Sequence, residues 1–450
     1  MSRDVVVVGG GFAGLIAAAA LAQRGAQVRV LEAAVGPAGA FRGELIHPSG
    51  VRGLLALGLK APLLACGGVE VDGFAVSPGS GHQPIVLPYA HRQGLGLGID
   101  HKRMVKALRT EVGQHPEIEL VEGVRVENVL RAGRRVVGVT TADGVEHRAD
   151  LVVVADGRQS KLRGLLGFAA ETRLLSYSIT FAVRGELPHA RSGHVFLGAP
   201  GPILAYPFGD GMIRFCVDVP LGAAKGRDAI VALLIEKYAP VVPAQLRESM
   251  IRSLAEAPFE GCANHAITTQ QCAAPGVVLI GDAGGCAHPL TASGMSNAMN
   301  DVTLLAELVG TSGATEEVLA EYQRYRYDFV RMRELFTDSL YEVFRAHDEG
   351  SRALQTGVFA YWRRSAGARR ASMDILSGEE VRSSRFMVEY SRVFGVSALA
   401  VVKEFPRRPR AGVSRLKALG RTSVSRLSEA VTRSARSFID RYRLELRELG

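Results

Sequence analysis

The hydrophobic pattern changes period twice within the first 32 residues. Val5–Val8 is an unbroken β-branched run, as expected for a strand buried on both faces of a parallel sheet. Phe12 to Gln23 is rich in alanine and leucine and predicts a helix. Gln27 to Leu31 is a second apolar strand that ends at Glu32. The same type of strand returns at Leu151 to Ala155, followed by Asp156-Gly157 and a helix cap at Ser160. It returns again at Val277 to Ile280, followed by Gly281-Asp282, a turn at Pro289 and a helix from Gly294 through Leu308.

Between these stretches the pattern is more varied. Val51 to Leu59 reads as a short helix, Ala65 to Tyr89 as short strands, and Ile99 to Val112 as a helix with Met104, Val105, Leu108 and Val112 on one face. Gly94, Gly96 and Gly98 read as a loop, and Val124 to His147 as a β-meander. Leu174 to Val219 predicts several long strands. Their aromatics (Tyr177, Phe181, Phe196, Tyr206, Phe208, Phe215) either form one face of a sheet packed on helices or together line an apolar pocket. Helices follow near Ala223 to Tyr238 and Pro243 to Glu256, and Thr315 to Leu376 is mostly long helix. Val393 to Val402 is apolar for ten residues, too short to span a bilayer, and reads as a core helix or one dipping into an interface. From Val424 to Leu449 apolar residues recur every three or four positions among arginines, a basic amphipathic helix that either packs on the body or attaches to an anionic membrane surface.

The candidate chemistry sits where strands end. Gly9, Gly11 and Gly14 form G-x-G-x-x-G between a strand and a helix, and Glu32 lies 18 residues past Gly14. Gly9 allows the tight turn, Gly11 a close approach to a pyrophosphate, and Gly14 close packing of helix on strand. The helix N-terminus offers free N–H groups to phosphate, and Glu32 accepts hydrogen bonds from a ribose. This is a dinucleotide site, with FAD and NAD not separated by Glu32 alone. The polar turn at Arg42 is either a surface connection or a loop along the cofactor with Arg42 near its phosphates. Asp156 and Asp282, at two further strand tips, point at the same ligand, and Asp282 suits a ribityl hydroxyl. The helix N-terminus at Gly294 is placed to stabilise negative charge on a reduced flavin ring. His288 reads as a structural hydrogen-bonding residue with no identifiable carboxylate partner.

Charge narrows the partners. The formal net charge of the 450 residues is +9, and Lys403 to Gly450 holds 13 basic and 5 acidic residues, so 13 − 5 = +8 of it lies in the tail. The body is nearly neutral, which argues against a nucleic-acid enzyme. Five cysteines with no C-x-x-C pair or metal-ligand spacing fit reduced thiols in the cytoplasm, and no metal site is expected. The first strand begins at Asp4 with no leader in front of it, so a cytoplasmic protein is expected, peripheral at the inner membrane face if the tail binds there.

The three motifs, in this order and spacing, resemble those of the class A-type flavin monooxygenases, and within them the squalene epoxidases (squalene monooxygenases). GELIHPSG is similar to that family's GELLQPGG, VVADGRQSKLR to VVADGLFSKFR, and GDAGGCAHPLTASGM to GDAYNMRHPLTGGGM. The likeness runs from residue 4 to about 400. It implies an α/β protein: a Rossmann-like FAD-binding domain (1–60, 98–170 and 268–310) interleaved with a mixed-sheet substrate domain (61–97 and 171–267). A helical C-terminal region (311–402) and the basic tail (403–450) complete it. It implies bound FAD, with Gly9, Gly11, Gly14, Glu32 and Arg42 on the ADP half. Asp156 would serve the Asp-Gly motif, Asp282 the ribityl and pyrophosphate region, and Pro289 to Met295, including Gly294, would lie against the flavin ring. NAD(P)H or a reductase partner would supply electrons, and O2 would form a flavin C4a-hydroperoxide that attacks a lipophilic, isoprenoid or prenylated substrate by epoxidation or hydroxylation. Tyr89 falls where the family has a pocket tyrosine, and His47 stands where it has the glutamine that partners it, so a catalytic His47–Tyr89 pair is expected. Ala292-Ser293-Gly294 replaces the family's three glycines. Two rival readings are a flavin-dependent prenyl-chain reductase and a non-catalytic, membrane-docked flavoprotein.

Overall fold

The computed structural model describes residues 3–36, 44–90, 92, 94–404 and 414–421. Arg42 and the amphipathic pattern from Val424 onward lie outside the described residues.

The early strands form one six-stranded sheet in the order Ala273–Ala274, Val277–Leu279, Leu151–Val154, Arg3–Val8, Ala26–Glu32, Ile118–Glu122. All neighbours except the first pair are parallel. Val8 is in register with Leu31 on one side and Val154 on the other, and Val154 with Leu279. The central strands therefore end together, at the edge where parallel α/β sheets bind ligands. Phe12–Ala22 is buried from Gly14 to Ala22 between the sheet and the helices His101–Val112 and Gly294–Ser312. That explains its lack of a polar face.

A second, seven-stranded sheet runs Glu260–Thr269, Ala170–Arg184, Met212–Pro220, Ile203–Gly209, Gly193–Phe196, Gly73–Ser77, Ile85–Pro88. Alternation along its strands sorts two faces. Phe181, Phe196, Ala205 and Phe215 pack toward Ala244–Glu256, while Phe74, Val195, Leu204 and Tyr206 join the C-terminal helices. Of the predicted aromatics, Phe181, Phe196 and Phe215 are thus sheet core, Tyr177 is exposed, and Tyr206 lines a cleft.

Two expectations are corrected. The glycine run is loop only at Gly94: Gly96–Gly98 is the central strand of a three-stranded sheet between Leu45–Ile46 and Val69–Val71. A Cβ at Gly98 would stand 2.2 Å from the Pro207 carbonyl, so glycine is what lets the sheets touch. The long helix is three: Glu316–Arg345, Glu349–Arg364 and Ala366–Leu376. Ala346 turns left-handed, Asp348 and Ser351 form a capping box, and Ser365 caps the next start. Val393 to Val402 belongs to Ser383–Glu404, which packs against Glu349–Arg364. Among the described residues no helix is long and apolar enough to cross a membrane.

Candidate active site

At the common strand edge, Gly9 has φ +107°, and a Cβ there would lie 2.5 Å from the Ala155 carbonyl. A Cβ on Gly14 would lie 1.8 Å from the Gly9 carbonyl, so the turn closes only with glycine at both positions. Gly11 has no heavy atom within 4 Å of its missing side chain and heads the helix without a side-chain cap. Its free N–H groups face open space. Glu32 stabilises this turn as well as facing the edge: Oε2 accepts from Gly10 N at 2.6 Å and Oε1 from Ala34 N at 2.8 Å. Arg109 is buried behind it, donating to the Gly10 carbonyl and pairing with Glu122. Sequence reading missed Arg109. The signal was a cation on the same face as Val105, Leu108 and Val112.

Asp156 follows on the neighbouring strand. Burial raises its pKa, and Oδ1 is buried with no hydrogen-bond partner among the described residues. Ser160 caps its helix, accepting from Arg163 N at 3.0 Å, and Arg163 donates to the Ala283 carbonyl at 2.9 Å. The second motif is thereby tied to the third. Gly281 N donates to Asp301 at 2.8 Å, and Arg326 braces Asp301 and the Gly284 carbonyl, holding Asp282 at its strand tip. An acceptor oxygen without a donor, an open glycine and an uncapped helix start fit a ligand that carries hydroxyls and phosphates, as FAD does.

A cleft of about 320 Å³ lies at this edge; Gly11, Asp282, Pro289, Gly294 and Met295 line it, while Gly9, Gly14, Glu32 and Asp156 stand behind its wall. Gly294 opens Gly294–Ser312 with no side-chain cap, so this helix also turns free N–H groups to the cleft. Two buried features here were not read from sequence. Arg214 donates to both oxygens of Glu44, at 2.6 and 2.8 Å, and both residues lie on the cleft wall. His288, for which the sequence identified no carboxylate partner, has one: its Nε2 lies 3.1 Å from Asp218 Oδ1. Its Nδ1 accepts from Leu290 N, so Nε2 carries the proton and donates, while Tyr341 OH donates to the other Asp218 oxygen at 3.0 Å. The 70 residues separating His288 from Asp218 kept the pair out of sight.

The expected His47–Tyr89 contact is present, at 2.7 Å between His47 Nδ1 and Tyr89 OH. His47 Nε2 lies 2.8 Å from the Thr291 carbonyl, which only accepts. Nε2 therefore carries a proton, and in the neutral ring Nδ1 is the acceptor to which Tyr89 OH donates. Burial, aided by the Arg333 charge, lowers the His47 pKa to about 4. Neither side chain lines this cleft. The pair holds Thr291 from behind, next to Ala292 in its left-handed conformation at φ +49°. Beyond this loop lies a second cavity, about 110 Å³ and almost wholly apolar, between the seven-stranded sheet and the C-terminal helices. Phe74, Leu87, Phe344 and Trp362 line it, and it meets the cleft at Leu290.

Comparison with known proteins agrees with this arrangement. The family described as Squalene epoxidase matches residues 148–416, and that described as FAD dependent oxidoreductase matches residues 4–83. Squalene epoxidase 3 of Arabidopsis thaliana is 28% identical over 418 residues, covering 88% of this chain and 79% of the relative. Squalene epoxidase erg1 of Aspergillus fumigatus is 28% identical over 422 residues, covering 90% and 87%. Among solved structures, Klebsiella pneumoniae HpxO complexed with FAD and uric acid superposes with a TM-score of 0.67 at 22% identity, covering 87% of this chain and 96% of that one. That likeness is one of fold.

Proposed function

The chain belongs to the squalene epoxidase family and is an FAD-dependent monooxygenase, and from this we propose that it places one oxygen atom of O2 on a lipophilic isoprenoid or prenylated substrate, by epoxidation or hydroxylation. The observation that carries the substrate class is the apolar cavity, which shares Leu290 of the Pro289–Thr291 turn with the wall of the cleft. A chain of alkene groups fits such walls; a polar metabolite would leave its hydrogen-bonding groups unpaired there.

Gly9, Gly11 and Gly14 would receive the pyrophosphate of FAD, Glu32 a ribose, and Asp156 and Asp282 hydroxyl groups. Arg42 would complete the ADP side, and Pro289, Gly294 and Met295 would lie along the flavin ring. Bound FAD, reduced by NAD(P)H or by a reductase partner, supplies the oxygen chemistry. The protein's own part is positional. His47 and Tyr89 are then positioning residues: they hold the Thr291 carbonyl and so fix the wall between cofactor and substrate. The apolar helices exclude water from the reacting alkene. In this reading the six-stranded sheet serves the cofactor, the seven-stranded sheet the substrate, and the basic tail an anionic membrane surface.

The test is turnover of squalene, farnesol and farnesoate with NADPH, a flavoprotein reductase and 18O2, read by mass spectrometry. The expected product carries one labelled oxygen. Reoxidation of reduced FAD with no labelled product from any of the three would refute the proposal. A prenyl chain saturated at a double bond would establish the reductase instead.

A further inference from the structure

Among the described residues five arginines are buried around the site, and three have a carboxylate of their own: Arg109 with Glu122, Arg214 with Glu44, and Arg326 with Asp301. Arg163 and Arg333 bond to backbone carbonyls instead, and of these two Arg333 lines the cleft. Arg333 is 2% exposed on Glu316–Arg345, while Phe336 on the next turn lines the apolar cavity. Its Nη1 donates to the Ile375 carbonyl, and its Nη2 donates to that of Leu376 at 3.0 Å. Ile375 and Leu376 are themselves cavity walls, so the guanidinium stands where the two spaces adjoin.

The nearby acids are engaged elsewhere. Glu334 accepts from Thr268 at 2.8 Å, Glu379 pairs with Arg52, and Glu389 with Arg385 and Arg392. Among the described residues no carboxylate makes an ion pair with Arg333, and its Nε has no hydrogen-bond partner. Burial pulls its pKa down to about 10, which leaves it charged at neutral pH. A structural role is visible, since the two carbonyls end the helix Ala366–Leu376. That role uses two of five donors, and the Phe336 ring 5.7 Å from the guanidinium carbon adds a weak cation–π contact; neither supplies a counter-charge for the buried cation.

We propose that Arg333 is a specificity residue that receives an anionic head group, of the carboxylate kind, so that the substrate is an amphiphilic lipid acid with its apolar chain in the cavity. The guanidinium fork matches a carboxylate, whereas a pure hydrocarbon would leave it unpaired. This rests on the lipophilic-substrate reading above and sharpens it.

Equilibrium binding tests it without turnover. Trp362 is the single tryptophan of the chain and lines the cavity, so its fluorescence reports occupancy. The FAD-loaded full-length protein is titrated with farnesoate and farnesol at pH 7.5. Farnesoate is expected to bind at least about tenfold more tightly than farnesol. Arg333→Met should remove that difference and leave farnesol binding intact, and Arg333→Lys should keep part of it. Equal affinity of the wild type for the two probes overturns the proposal, whether or not the variants fold. So does an equal loss of both probes in Arg333→Met. A flavin midpoint potential that falls in Arg333→Met, with the two probes still bound alike, would assign the cation to the reduced flavin. Binding of neither probe would remove the lipophilic pocket itself, a failure distinct from failure of the Arg333 assignment.

Discussion

His47→Gln separates what His47 does by hydrogen bonding from what it does by titrating. A glutamine amide can accept from Tyr89 OH and donate to the Thr291 carbonyl, so both bonds of the imidazole have a replacement. At pH 8 histidine is neutral in the folded and unfolded chains, and the two proteins should be of nearly equal stability. Below pH 6.5 the unfolded histidine takes up a proton that the buried ring refuses until about pH 4. Folding of the wild type therefore weakens as pH falls through that interval. The gap from 6.5 to about 4, at about 1.36 kcal/mol per pH unit, is roughly 3 kcal/mol. His47→Gln should be spared this loss. The assay is urea unfolding of both FAD-loaded proteins at intervals from pH 8 to pH 4. His194, whose pKa burial also lowers to about 4, titrates in both and cancels in the difference. The two stabilities should diverge toward low pH, with glutamine the more stable. Curves that stay parallel from pH 6.5 to pH 4 would refute the assignment of a buried neutral imidazole.

Three further outcomes follow from the site. Gly14→Ala places a methyl 1.8 Å from the Gly9 carbonyl and should reduce FAD retention on gel filtration at least about tenfold; full retention would contradict the close packing. Asp156→Asn should weaken FAD affinity by about tenfold, read by flavin fluorescence on release, if the unpaired Oδ1 accepts from a cofactor hydroxyl as proposed; unchanged affinity would remove Asp156 from the proposed site. Arg214→Met strands the buried Glu44 carboxylate and should cost about 3–5 kcal/mol in denaturant unfolding, recovered in large part by adding Glu44→Gln; a loss under about 1 kcal/mol would show the pair to be dispensable.

Much of the cofactor edge was legible along the chain, because its signals are local. A valine run, a glycine spacing and a Ser160 cap each act within a few residues, and the structure has all three at the same strand edge. Gly96 and Gly98 were misread for the opposite reason. Those glycines are needed for contact with the Pro207 carbonyl and with Ile46, more than a hundred and about fifty residues away in the chain, and nothing nearby signals either contact. The three-way division of the long C-terminal helix was legible in principle, since Asp348 and Ser365 are good caps, yet the helical periodicity on both sides concealed it.

What the sequence by itself determined is the nucleotide-binding half: backbone turns there depend on the presence or absence of a Cβ, and residue identity states that directly. Only the tertiary structure decided the partners of buried charge. Asp218 with His288 and Glu44 with Arg214 are choices made across 70 and 170 residues. A charged side chain reads the same on the surface and in the core. Its desolvation, and so its need for a partner or a ligand, exists only once the sheets and helices have closed around it.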